Sequence, residues 1–148
     1  MPAVHSFLQV REELALLGIR VPDALLWQRP GGAASIGFHV RHIGGATDRL
    51  LTYARGAQLD AAQLTFLRAE ATPGEPAPSI ASLVEEATRT LDLALAQLAR
   101  TSRDELLEAR AVGRAALPST TLGLLFHAAE HAQRHAGQAR TTATILMG

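Results

Sequence analysis

The 148-residue sequence contains no cysteine and no lysine. Without cysteine there is no disulfide, no thiolate nucleophile and no thiolate metal ligand, so a metal site must be built from histidine and carboxylate. Without lysine there is no catalytic amine and no Schiff base. All 14 basic residues are arginine, and 14 acidic residues balance them. With no net charge, no whole-molecule field draws in nucleic acid or an anionic membrane. No apolar run approaches the roughly 18 residues that a membrane span needs. The start, Met-Pro-Ala-Val-His-Ser-Phe, lacks the basic segment and apolar run of a signal peptide. The expectation is a soluble cytoplasmic protein acting on a small molecule, with no nucleic-acid or membrane partner.

An apolar fraction of 47% and a charged fraction of 19% predict a folded chain. Its length suits one domain, residues 1–148, with a sizeable core. Phe7, Val10, Leu14 and Leu17 keep helical spacing and predict a first helix over 4–17, closed by Gly18. Pro22 opens a short turn through Trp27, and 29–32 reads as loop. Ser35 caps a second helix to about Gly56, with Ile36, Val40, Ile43, Leu50 and Ala54 inward and Arg41, Asp48, Thr52 and Arg55 opposite. Its Gly44-Gly45 pair costs helix stability and points to close packing. A shorter helix covers 59–70, and the proline-rich stretch 72–78 is a crossover. Ser79 caps a third long helix to Leu98 along a Leu83–Ala87–Leu91–Ala94 seam. Ser102 and Glu105 form a capping box for a turn or two. Residues 110–118 read as a connection, and Ser119 or Thr120 caps a last helix to Leu146. No stretch shows strand alternation. The fold class is all-α, a four-helix bundle with short additional helices.

Chemistry concentrates in histidine. Of six histidines, His127, His131 and His135 recur every four residues on the last helix, and His39 and His42 sit together on the second. At about 100° per residue, Leu122, Leu125, Ala128, Ala132, Ala136, Ala139 and Leu146 mark the last helix's inward arc. His131 and His135 fall at its margin and within it, and His127 nearer the edge. Residues at i and i+4 stand one above the other, so His131 and His135 present two imidazoles to one point. A lone histidine on such a face is ordinarily a hydrogen-bonded core residue. Two, with a donor on a facing helix, point to a divalent metal that offsets the cost of burying them. Periodicity leaves both His39 and His42 open as the third ligand and leans toward His39. There is no His-Glu-x-x-His, so a metalloprotease is excluded at the first test. Gln138, a turn beyond His135, is a candidate donor to a ligand. Glu130 is a candidate to orient His42 or His131. Arg41, Arg49 and Arg134 are candidates for a substrate carboxylate, each against the plainer role of a surface charge. Tyr53 belongs at the core edge.

His131-Ala-Gln-Arg-His135-Ala-Gly137-Gln138 resembles the HxxxHxGQ signature of the DinB/YfiT-like family of bacterial four-helix bundles. Ser35-Ile-Gly-Phe-His-Val-Arg-His42-Ile resembles the family's second-helix segment. The likeness runs through the whole chain in length and helix order. It implies metal ligands His42, His131 and His135, with His39 and His127 beside them. It also implies a divalent ion, zinc or nickel most often, frequent homodimers, and relatives that include transferases and isomerases using low-molecular-weight thiols. The resulting expectation is a metal-dependent thiol S-transferase or a related stress or detoxification enzyme. The alternatives are a non-catalytic metal-binding structural or interaction protein and a metal-dependent hydrolase.

Overall fold

The computed structural model describes residues 2–148. Five helices, α1 (Pro2–Arg20), α2 (Ile36–Ala54), α3 (Ala61–Ala69), α4 (Ile80–Arg100) and α5 (Thr121–Met147), account for most of them. α2 packs on α5 and α4, and α1 packs on the same two. The four long helices therefore go round the bundle in the order α1–α5–α2–α4, with α3 laid against the outside of α2. None of these helices is long and apolar enough to cross a membrane.

Local chemistry sets most boundaries. Ser35 Oγ accepts from Phe38 N–H, Ser79 Oγ from Ser82 N–H, and Thr120 Oγ1 from Gly123 N–H. Each satisfies a backbone donor that the first helical turn leaves without a partner. Asp60 and Gln63 form a reciprocal capping box at the start of α3. Ser102 and Glu105 do the same around a 3-10 turn at Glu105–Leu107. Phe7, Val10, Leu14, Ile36, Val40, Ile43, Leu83, Leu91, Leu125 and Ala139 are buried in one hydrophobic core.

Four expectations are corrected. α1 runs through Gly18 to Arg20 and ends where Pro22 disfavours helical backbone at Val21. The connection over 110–118 contains a small antiparallel hairpin, β1 (Ala109–Val112) with β2 (Leu117–Thr120). Four residues are too few to show alternation, and the turn is made by positive φ at Gly113 and Ala116. Thr52, assigned to the polar face of α2, is buried, and Leu122, assigned inward, is exposed. α2 has neighbours on three sides, so its polar face is enclosed as well.

Gly44 and Gly45 serve different contacts. A Cβ at Gly44 would stand 3.3 Å from Ala87 Cα, so this residue lets α2 approach α4 closely. A Cβ at Gly45 would collide with Glu70, the residue after α3.

Candidate metal centre

α2 and α5 bring their histidines face to face. His42, His131 and His135 each offer a ring nitrogen to a group whose members all lie within 4.8 Å of one another. Their ring centroids form a triangle with sides of 5.1, 4.5 and 4.6 Å. The closest approach, His42 Nε2 to His131 Nε2, is 2.9 Å. All three residues are half-buried, which leaves the cluster accessible from solvent.

His39 is buried deeper, and its Nδ1 lies 3.0 Å from His135 Nδ1. It stands behind His135 and outside the group of three. The ring of Phe38 stacks on His42 at 5.1 Å and meets His135 edge-on at 6.1 Å, forming an apolar wall. Gly37, the residue before Phe38, makes room for the Trp27 ring: a Cβ there would stand 2.7 Å from that ring.

The residue that orients His42 directly follows α3. Glu70 Oε2 lies 2.7 Å from His42 Nδ1, and its Oε1 accepts from Arg49 Nη1 at 2.6 Å. Burial raises the Glu70 pKa, but hydrogen bonds from His42 and Arg49 outweigh it and hold the carboxyl below its ordinary range. Glu70 is not among the residues the sequence points to, and Arg49, expected as a surface charge or a substrate contact, is buried against it. One signal was available: Arg49 follows His42 by two helical turns and shares its face.

Glu130 does not orient His42 or His131. It lies on the rim of α5, where its carboxylate takes His127 Nδ1 at 2.7 Å and Arg134 Nη2 at 2.9 Å. Arg134 is thereby paired on the surface. Arg41 lies 5.0 Å over the Trp27 ring and donates to the carbonyls of Ala69, Thr72 and Pro73, so it fastens the end of α3. Gln138 is exposed and has no hydrogen-bond partner among the described residues. His127 is exposed, with its ring 5.4 Å from that of His131, and forms a second, more open group with Glu130 and His131. Tyr53, eleven residues along α2 from His42, is roughly 16 Å away along the helix.

The donor set fits a divalent ion. Burial first, then the neighbouring charge of His42, pushes the His39 pKa down to about 4 and that of His135 to about 3. His131 is lowered by the same causes in the same order. Neutral imidazoles carry the lone pairs that zinc and nickel accept. Nitrogens around a tetrahedral zinc stand roughly 3.4 Å apart, which the 4.8 Å span admits. Moreover, His131 Nδ1 is buried without a partner, and its Nε2 faces that of His42. If both Nε2 atoms are bare, their lone pairs repel unless a cation lies between them.

These shifts make a prediction for the metal-free protein. The unfolded histidines take up protons near pH 6.5, whereas folded His39 and His135 resist until about 4 and 3. Between those values the unfolded state binds more protons, so stability falls as pH falls. Each such histidine contributes up to about 1.4 kcal/mol per pH unit. Urea midpoints should drop steadily between about pH 7 and pH 5, and a flat profile would contradict the burial of neutral imidazoles.

A mostly helical bundle with histidines from two helices converging at its flank defines a class of candidate metal-binding bundles. The DinB superfamily model matches residues 7–139, and the chain belongs to that family. Among solved structures, a DinB-like protein from Bacillus cereus superposes with a TM-score of 0.65 at 17% identity, covering 92% of this chain and 87% of that one. At that identity the likeness concerns the fold. No curated protein matches the sequence.

Proposed function

We propose that the protein binds one divalent ion, zinc or nickel, through His42, His131 and His135, and uses it to transfer a low-molecular-weight thiol to a small electrophile. The observation that carries this reading is a group of three histidines that no fourth histidine or carboxylate among the described residues joins. Three protein ligands leave a position for an external one. A dication bound there supplies Lewis acidity that lowers the pKa of a thiol or water at that position.

The chain's own residues do the rest. Glu70 and His39 hold His42 and His135 in place from behind. Phe38 shields one side from water. His127, hydrogen-bonded to Glu130 and open to solvent, is the candidate to carry a proton to or from the reacting groups. A stress or detoxification role, cytoplasmic residence and homodimer assembly belong to the same proposal. Leu122 and Phe126, exposed apolar neighbours one turn apart on α5, support the dimer.

One observation favours a second, non-catalytic reading, in which the ion simply ties α2 to α5. Cavities of about 240 and 470 Å³ lie along α2, and neither is lined by a histidine. Elemental analysis of tag-free protein, followed by thiol consumption with electrophiles, separates the readings. Equimolar metal with chelator-sensitive thiol consumption supports the enzyme. Metal without turnover leaves the structural role, and protein that takes up neither zinc nor nickel removes both.

A further inference from the structure

We infer that Glu70, held by Arg49, is a positioning residue that fixes His42 in the tautomer whose Nε2 is bare. The inference rests on the metal reading of the three histidines and specifies what prepares one of them. An ionised carboxylate only accepts hydrogen bonds, so the 2.7 Å contact of Glu70 Oε2 places the imidazole proton on His42 Nδ1. A neutral imidazole has one such proton. Nε2 is then left with its lone pair toward His131, 2.9 Å away.

Glu70 cannot turn to another partner. Its side chain is 2% exposed, and its second oxygen is taken by Arg49 at 2.6 Å. An ion pair kept only for stability would have no use for a histidine. Here one oxygen answers the buried guanidinium and the other the imidazole.

The surrounding sequence is shaped to admit this arrangement. Gly45, three residues after His42, has no side chain where Glu70 enters. A Cβ there would collide with Glu70 Oε1 and stand 2.7 Å from Phe66 Cε1 and 2.9 Å from Arg49 Nη1. Arg41 fastens the chain just past Glu70 through the carbonyls of Thr72 and Pro73. α3 therefore acts as a strap that delivers one carboxylate to the back of one ligand. Partners behind a metal-binding histidine fix its tautomer and raise its basicity.

The test uses nitrogen-15 NMR of histidine-labelled, metal-free protein at about pH 8, above the ordinary imidazole range. Wild type is expected to show His42 protonated at Nδ1 alone. In Glu70→Gln the neutral amide holds that proton less firmly, and both tautomers should appear. Zinc affinity, read by competition with a chromophoric chelator, should fall about 10- to 100-fold. Should that variant not fold, Gly45→Ala keeps every charged group and displaces Glu70, and the same two changes are expected. An Nε2-protonated His42 in wild type would overturn the inference, as would unchanged tautomer and affinity in Glu70→Gln. A wild type that takes up no zinc, with the tautomer change intact, removes the metal reading and leaves the hold of Glu70 on His42 standing.

Discussion

Replacing His131 and His135 together by alanine should abolish metal uptake while leaving the bundle folded. Both side chains stand on a face of α5 already built from Ala128, Ala132 and Ala136, and alanine is the best helix former. The change also removes a buried nitrogen that has no partner, His131 Nδ1. The same change takes from buried His39 its His135 partner, so gain and loss offset and the metal-free variant should remain folded. Zinc at 100 times its dissociation constant should stabilise wild type by ~2.7 kcal/mol, a rise in Tm on the order of 5–10 °C. The variant should show no rise. Calorimetric melts with and without zinc, with elemental analysis of the same samples, decide the matter. A double variant that still takes up one ion per chain would dismiss the three-histidine site.

The second large effect concerns Arg49. Arg49→Met should destabilise the fold by about 3–5 kcal/mol, because it leaves the buried Glu70 carboxylate with His42 as its remaining partner. Its pH dependence can be stated in advance. The folded pKa of Glu70 lies below its ordinary 4.5, so its contribution is present above that value and is lost as pH falls through the folded one. The deficit of Arg49→Met should therefore be greatest near neutrality and shrink in acid. Adding Glu70→Leu to Arg49→Met should recover much of the loss, since a buried pair removed whole costs less than one broken. Urea unfolding of the two variants and wild type measures this. A deficit below about 1 kcal/mol at neutral pH would mean that water reaches Glu70 after all.

The helices were legible because their signals are local. Ser35 and Ser79 cap where their hydroxyls predict, and the Leu83–Ala87–Leu91 seam is buried as its spacing requires. The hairpin over 109–120 was not, because its pairing depends on a turn whose strands are too short to alternate. Histidines on α2 and α5 could be suspected of meeting from periodicity alone. Which of His39 and His42 joins the group depends on how the two helices are rotated against each other, and helical periodicity does not contain that angle. His39 has the more central place in the apolar stripe, and it is the more buried of the two. Depth is what sets it behind His135 and leaves His42 at the rim, where the three nitrogens gather. Glu70 could not be found at all. It lies 28 residues from His42, just past a short helix whose docking depends on Gly45 and Arg41.

Most of the nineteen residues of α2 are buried, on the side of α4 as well as that of α5. The same helix carries His39, His42, Gly45 and Arg49. Its faces are already committed, so a designer seeking a different ion or substrate has little freedom there. Variation is cheaper on the outward side of α5, around Phe126, His127 and Glu130, and on α3, whose residues are largely exposed. Diversification of the chemistry, in the laboratory or by descent, should accumulate on those two surfaces and spare the helix between them.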